Sequence, residues 1–352
     1  MKKEIQIGSI KVGVGHRPFL VAEMSGNHNQ SLERAMSIVE AAARSGAHAI
    51  KLQTYTADTM TLNLKSDGFT ITDDKSLWKG RNLYDLYQEA HTPWEWHEPL
   101  MKRAAELGML CFSTPFDESA VDFLEKLNVP CYKIASFENT CMPLLKKVAK
   151  LKKPMIISTG MANLGELEET VRLVKAQGCE DLILLKCTST YPATPENTNI
   201  STIPHMRELF DVNVGLSDHT MGTGVSVASI ALGAVMIEKH FTLSRADGGV
   251  DSTFSMEPAE FKSLAIESER AWLSLGKVSY GVQSSQEEKS KAFRRTIYVS
   301  TDIKAGDILS EKNVRCVRPG FGLETKYWDQ ILGRSVNRDL AAGTPMKLEY
   351  LK

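Results

Sequence analysis

The sequence predicts an α/β protein, a (β/α)8 TIM barrel followed by a small β-rich C-terminal domain. Three observations point there. Between Pro18 and about Gly276, eight short β-type runs alternate with helix-length amphipathic segments. The runs are almost continuously apolar, as strands covered on both faces of a parallel sheet are. No Gly-x-Gly-x-x-Gly follows the first run, only Glu-Met-Ser-Gly-Asn-His-Asn, which disfavours an open doubly wound sheet. Eight units in roughly 250 residues suit a closed barrel.

Taken in order, residues 5–14 alternate around Gly8 and are expected to form a hairpin closing the barrel bottom. Strands are expected at 19–23, 47–53, 109–113, 131–135, 155–158, 182–187, 212–216 and 234–238. Amphipathic helices are expected at 32–45, 93–107, 118–127, 142–150 and 166–177, with a Gly/Ala/Val-rich helical segment at 223–232. Gly46, Gly108, Gly178 and Gly233 precede strands where a left-handed helix C-cap costs glycine little. The connection at 56–92 is longer than a usual βα loop and carries Trp78 and Tyr84, which suggests a lid or substrate wall. Beyond the barrel domain (1–278), residues 279–291 are polar and read as a linker. Residues 292–352 hold β-like runs at 296–300 and 314–318 between turn signals. A domain of about 60 residues is marginal alone, so it is expected to dock on the barrel or on a partner subunit.

With 42% hydrophobic and 24% charged residues, the 352-residue chain has an ordinary globular composition. A formal net charge of −1 gives no electrostatic case for binding nucleic acid. No apolar run approaches the ~20 residues that span a bilayer, and Met-Lys-Lys-Glu-Ile-Gln-Ile-Gly lacks the apolar stretch of a signal peptide. The six cysteines are scattered without a Cys-x-x-Cys. A cytoplasmic protein with no membrane and no nucleic-acid partner is expected.

Chemistry gathers at the strand ends. His219, in Gly-Leu-Ser-Asp-His-Thr, and His240, in Ile-Glu-Lys-His-Phe, each follow a buried-strand pattern. In a β/α repeat both imidazoles emerge at one end of neighbouring parallel strands. Neutral imidazole is the commonest ligand of divalent transition metals, and two of them leave coordination positions open for catalysis. One strand-end histidine more often satisfies a nearby carbonyl or carboxylate, but two in register, flanked by Asp218, Glu238 and Lys239, favour a site. Lys51, Lys133, Ser136, Ser158 and Ser217 supply point charges and compact donors, as a small ligand with more than one anionic group requires. Glu138 and Asp251 are candidates for moving protons or holding sugar hydroxyls.

The runs Ala22-Glu-Met-Ser-Gly-Asn-His-Asn, Ile50-Lys-Leu-Gln-Thr-Tyr, Phe112-Ser-Thr-Pro-Phe-Asp, Tyr132-Lys-Ile-Ala-Ser-Phe-Glu, Cys187-Thr-Ser-Thr-Tyr-Pro and Ile237-Glu-Lys-His-Phe resemble, in order, the sialic acid synthase family. Ile303-Lys-Ala-Gly-Asp-Ile-Leu-Ser and Arg315-Cys-Val-Arg-Pro-Gly-Phe-Gly-Leu resemble that family's C-terminal antifreeze-like (SAF) domain. Within the family, the insertion and the Cys-Thr-Ser-Thr-Tyr-Pro run are most similar to the pseudaminic acid synthases. The resemblance implies condensation of phosphoenolpyruvate with an acylated amino sugar. It implies Mn2+, Mg2+ or Co2+ on His219 and His240, and Lys51, Thr114, Lys133, Ser136, Ser158, Ser189, Tyr191 and Ser217 around phosphoenolpyruvate. Neuraminate synthases commonly carry Asn where this chain has Ser189. Glu23, Gln53, Glu138 and Asp251 are implied to face the sugar or the reacting centre. Arg318 is implied to cross from the SAF domain of a partner subunit in a domain-swapped homodimer. The alternatives are a neuraminate or legionaminate synthase, a two-His barrel metallohydrolase, and a non-enzymatic sugar- or ice-binding protein.

Overall fold

Each apolar run becomes a strand because helices cover its outer face and its inner side chains fill the barrel. The computed structural model describes residues 4–74 and 76–352, and they divide into two compact units, Met1–Leu275 and Gly276–Lys352. In the first, strands β1 (Ile5–Ile7) and β2 (Ile10–Val12) form an antiparallel hairpin. Eight parallel strands follow: β3 (Phe19–Glu23), β4 (Ala49–Thr54), β5 (Leu110–Pro115), β6 (Tyr132–Ile134), β7 (Met155–Ser158), β8 (Leu182–Cys187), β9 (Asn213–Ser217) and β10 (Met236–His240). They close in chain order, with β10 pairing with β3.

Two apolar layers hold the barrel. Ile5, Ile7 and Val12 of the hairpin pack with Phe19, Val21, Phe112, Ile156 and Ile183, so the hairpin plugs the N-terminal end as expected. The larger layer lies between strands and helices, where Leu20, Ile50, Tyr132 and Ile157 meet Ile38, Leu100, Leu145 and Phe261. Gly46 and Gly233, both at φ +89°, let the chain reverse from helix into β4 and β10.

The expected strand ends at 216 and 238 fall short of the real ones. β9 runs on to Ser217 and β10 to His240, because Ser217, Glu238 and Lys239 are buried polar residues that still pair in the sheet. Apolarity ceases to mark a strand where the barrel's interior itself becomes polar. The helix expected at 93–107 begins at His97, after a 3-10 turn at Trp94–Trp96. The insertion carries two short helices, Ala57–Met60 with a Thr56/Thr59 capping box and Leu83–Ala90 capped by Asn82. Buried His28 and Thr92 (3.2 Å), and Gln30 Nε2 donating to Glu89 O and His91 O, fasten its end to the barrel.

In the second unit, β11 (Thr296–Val299) pairs antiparallel with β12 (Val314–Val317) and β13 (Leu323–Glu324), over a core that includes Ile297, Ile303, Leu309 and Val336. Within the stretch expected as a polar linker, Ser285–Ser290 is helical, capped by the Ser284 side chain, which accepts from Glu287 N. Its polarity reflects a solvent-exposed helix rather than a lack of structure.

Gly215 lies on β9 against the backbone of β10. A Cβ there would stand 2.5 Å from Met236 O and 2.7 Å from Leu185 Cδ2, and the first of these is backbone that cannot yield. Gly215→Ala is therefore expected to destabilise the barrel by about 1–3 kcal/mol or more, as overpacking does. Thermal unfolding checks this, and an unchanged Tm would contradict it.

Candidate active site

At the C-terminal ends of the strands lies a cavity of about 440 Å³. Glu23, Lys51, Gln53, Lys133, Ser136, Glu138, Ser158, Tyr191, Ser217, His219, His240 and Asp251 all line it, so most of the sequence-derived candidates meet in one chamber. Register explains part of this. Across three adjacent strands His240 pairs with Glu23 and Glu23 with Lys51, while Glu238 stands level with Ser217.

The floor is a buried charge cluster. Lys51 Nζ lies 3.2 Å from Glu23 Oε2 and 3.1 Å from Glu238 Oε1, and Lys133 Nζ lies 3.4 Å from the same Glu238 oxygen. Ser217 Oγ also donates to Glu238 Oε1, at 3.2 Å. Burial opposes ionisation of Glu238, but Lys133 and Lys51 outweigh it and hold the carboxyl down at about 2. Glu23 is pushed the other way, up to about 7, because its burial outweighs Lys51. Burial lifts Glu138 to about 7 as well, against the pull of Lys133. Lys51 is held charged, because Glu23 and Glu238 outweigh its burial, whereas burial lowers Lys133 in spite of Glu238.

The two histidines stand beside this floor, their ring centroids 5.3 Å apart. His219 Nδ1 lies 2.9 Å from Thr188 O; donation to that carbonyl leaves the lone pair on Nε2. Burial keeps His240 well below the usual imidazole range and hence neutral, and its buried Nδ1 has no hydrogen-bond partner among the described residues. Burial opposes charge on His219, but Cys187 and the Thr188 carbonyl outweigh it and raise its imidazole above the usual range. The two imidazoles, His240 with its Nδ1 unpartnered among the described residues, are the side chains that would hold a divalent ion. Among the described residues no group of three or more His, Cys, Asp or Glu side chains could hold one, so an ion here would keep positions open for substrate.

The remaining polar atoms are arranged for something other than the fold. Glu138 Oε2, Ser158 Oγ, Glu238 Oε2 and Thr114 Oγ1 are buried without a hydrogen-bond partner among the described residues. Gly160 N donates to Ser136 Oγ at 3.2 Å, and a Cβ at Gly160 would stand 2.1 Å from Ser189 Oγ, so only glycine leaves these hydroxyls in place. Gln53 Nε2 donates to Glu23 Oε1 (2.9 Å) and Ser25 Oγ (3.1 Å), and the Ser25 hydroxyl donates to Asp251.

The insertion supplies the opposite wall. Trp78 Nε1 donates to Val250 O at 2.9 Å, and its ring centroid lies 5.8 Å from that of Tyr191. Tyr191 in turn packs on His219, at 4.5 Å. Ile71, Leu83, Leu86 and Tyr87 continue the wall as a mainly apolar face.

Not every expected residue lines the cavity. Thr114 is buried in β5 and the Ser189 hydroxyl stands against Gly160; neither is part of the lining. Tyr84 turns away, its hydroxyl bonded to Asp58, and Tyr87, one helical turn on, takes the place expected of it. Asp218 and Lys239 do not line the cavity; they pair with each other at 3.3 Å. Arg318 is an exposed residue of the second unit. Glu238 reads in the sequence only as a flanking residue, although its place two before His240 on a strand puts it on the same face. Ser25, held at φ +50°, and Cys187 join the site without a sequence signal of their own. The Cys187 thiol lies 4.0 Å from His219 Nδ1; burial opposes its ionisation, and the histidine outweighs that to bring it down to about 6.

Comparison with known proteins gives the family. The chain matches the NeuB family over residues 38–280 and the SAF domain over residues 294–349. It is 42% identical over 343 residues to a pseudaminic acid synthase of Campylobacter jejuni, covering 97% of this chain and 98% of that one. A pseudaminic acid synthase of Helicobacter pylori is also 42% identical, over 95% of this chain and 98% of its own. Among solved structures, the N-acetylneuraminic acid synthetase of Leptospira borgpetersenii, in complex with citrate, superposes with a TM-score of 0.73 at 31% identity, covering 82% of this chain and 95% of that chain. The spore coat polysaccharide biosynthesis protein SpsE of Bacillus subtilis superposes with a TM-score of 0.68 at 31% identity over 99% of both chains. The chain belongs to the NeuB family, its barrel followed by a SAF domain.

Proposed function

We propose that this chain is a pseudaminic acid synthase, joining phosphoenolpyruvate to an open-chain 2,4-diacetamido-2,4,6-trideoxy hexose to give a nine-carbon nonulosonic acid and phosphate. The observation that carries the reading is the convergence of Lys51 and Lys133 on one Glu238 oxygen beside the paired imidazoles of His219 and His240. Similarity to pseudaminic acid synthases over nearly the whole chain supports the choice of sugar.

In this reading Lys51 and Lys133 bind the phosphate and carboxylate of phosphoenolpyruvate, with Ser136, Ser158 and Ser217 as short donors. A divalent ion on His219 and His240, Mn2+, Mg2+ or Co2+, would supply Lewis-acid polarisation of the sugar's aldehyde oxygen. The enol carbon C3 attacks the aldehyde carbon, positive charge develops at C2, and water adds there. The tetrahedral intermediate then loses phosphate by C–O cleavage, while the lysines stabilise its anionic groups throughout. Glu138, poised at about 7, can take or return a proton near neutral pH. Glu23, Gln53 and Asp251 face the sugar. The apolar insertion face with Trp78 suits a deoxy-sugar methyl and acyl groups. A metallohydrolase usually recruits further His or carboxylate ligands, and no such cluster exists among the described residues. No helix among them is long and apolar enough to cross a membrane, and six free cysteines, four of them buried, fit a reducing, cytoplasmic setting.

The SAF domain is proposed to complete the site of a partner subunit in a domain-swapped homodimer. Phe137, Met161 and Met221 stand exposed just beyond the ends of β6, β7 and β9, and on the second unit Arg318 is exposed near Phe321. A guanidinium there could donate paired hydrogen bonds to an acyl carbonyl.

Phosphate release from phosphoenolpyruvate, measured against a panel of acylated hexosamines with and without EDTA, tests the function. Turnover is expected with the diacetamido trideoxy hexose, lost on chelation and in His219→Ala or His240→Ala. Efficient use of N-acetylmannosamine with none of the deoxy sugar would overturn the substrate, and activity indifferent to EDTA would overturn the metal. Lys51→Met and Lys133→Met should each lower kcat/KM for phosphoenolpyruvate by about 10- to 100-fold, the worth of a charge-assisted hydrogen bond. A loss confined to the sugar's KM would move these lysines to the other substrate. Mixing inactive His219→Ala with inactive Arg318→Ala protein under subunit exchange should restore activity; no recovery despite proven exchange would exclude the crossed arrangement.

A further inference from the structure

Behind the two histidines lies a buried ion pair that the chemistry above does not use. Asp218 precedes His219 and Lys239 precedes His240, and both are almost fully enclosed, at 2% and 1% exposure. Lys239 Nζ lies 3.3 Å from Asp218 Oδ2 and also donates to Thr220 O. One ammonium therefore holds the side chain before His219 and the carbonyl after it. Asp218 is further fixed by Thr220 N (2.9 Å) and Thr220 Oγ1 (2.8 Å) on Oδ1, and by Ser226 Oγ (2.5 Å) on Oδ2.

The sheet does not hold residues 219–220 against β10. Its last rung between the two segments is Asp218 N donating to Glu238 O at 2.9 Å. Past it the chain turns to the loop after β8: Ala193 N donates to His219 O at 3.1 Å, and Thr220 forms an isolated parallel bridge with Ala193. Of the contacts around His219, those made by Lys239 tie its loop back to the strand that carries His240.

Stability does not account for such a pair. Desolvating two charges costs about as much as their attraction returns, and well-packed apolar residues often serve the fold equally well. What a charged pair adds is direction. We infer that Asp218 and Lys239 are positioning residues, clamping the 218–220 loop to β10 so that the two imidazoles keep the separation a shared divalent ion needs. The inference rests on the reading of His219 and His240 as metal ligands. Residues that orient metal-binding side chains typically matter about 10- to 100-fold in metal affinity.

The test is the double variant Asp218→Asn/Lys239→Met, which removes both charges and leaves neither buried unpaired. Three readouts are taken on the full chain: thermal unfolding of the metal-free protein, titration with Co2+ followed by its visible absorption, and phosphoenolpyruvate binding to the metal-free protein. The expected result is a folded protein whose Co2+ affinity falls about 10- to 100-fold with an altered spectrum, and whose phosphoenolpyruvate affinity is unchanged. Unchanged Co2+ affinity and spectrum would overturn the inference, as would equal losses for Co2+ and phosphoenolpyruvate, which indicate general loosening. If the double variant does not fold, Ser226→Ala, which removes a single donor to Asp218, should weaken Co2+ binding in the same selective way; a normal Co2+ titration there would overturn it. Wild-type protein that binds no Co2+ would instead overturn the metal reading, and the inference with it.

Discussion

The site depends on one shared carboxylate. Two lysines on β4 and β6 point into the same enclosed chamber, and neither charge is tolerable there without a partner. Glu238 Oε1 serves both, and its position on β10 draws the ends of three non-consecutive strands toward one point. Removing one member of such a cluster leaves an uncompensated buried charge, at a typical cost of about 3–5 kcal/mol. Closure of the barrel and polarity of its mouth are therefore one problem. The hairpin plug and apolar layers at the other end stabilise a structure whose working end is electrostatically expensive.

The balance within the cluster also sets what it can bind. Two lysines share the one Glu238 oxygen, Lys51 held charged by its carboxylates and Lys133 lowered by burial, an arrangement that favours an anionic ligand over a neutral one. Facing this floor, the insertion presents Ile71, Leu86, Tyr87 and Trp78, with Trp78 fixed to Val250 O. One wall selects charge and the other apolar shape. A condensation between an anionic three-carbon acid and an acylated deoxy sugar needs both at once.

Much of this is legible in the order of residues alone. Eight apolar runs separated by amphipathic segments announce the barrel, and polar residues at or beyond the end of a run announce its mouth; Glu23 and Ser158 end β3 and β7, His240 ends β10 two residues past its expected end, and Lys51 lies within β4. The illegible parts have a common cause. Side-chain direction alternates along a strand, so Glu238 shares the inward face of His240 while Lys239 turns outward, and one-dimensional clustering around a histidine cannot separate them without the register. Tyr84 and Tyr87 lie about one helical turn apart, and Tyr84 is drawn from the cavity by its bond to Asp58, a contact between two helices of the insertion. Ser25 belongs to the site through its φ of +50° and its bond to Asp251, 226 residues away in sequence.

The most direct test is a crystal structure of the protein soaked with Mn2+ and phosphoenolpyruvate, with anomalous data collected for manganese. One strong anomalous peak is predicted within bonding distance of His219 Nε2 and of a His240 ring nitrogen. Phosphoenolpyruvate is predicted to lie with its phosphate and carboxylate on Lys51 and Lys133. Manganese bound away from the two imidazoles, or phosphoenolpyruvate lying against the apolar insertion face, would contradict this.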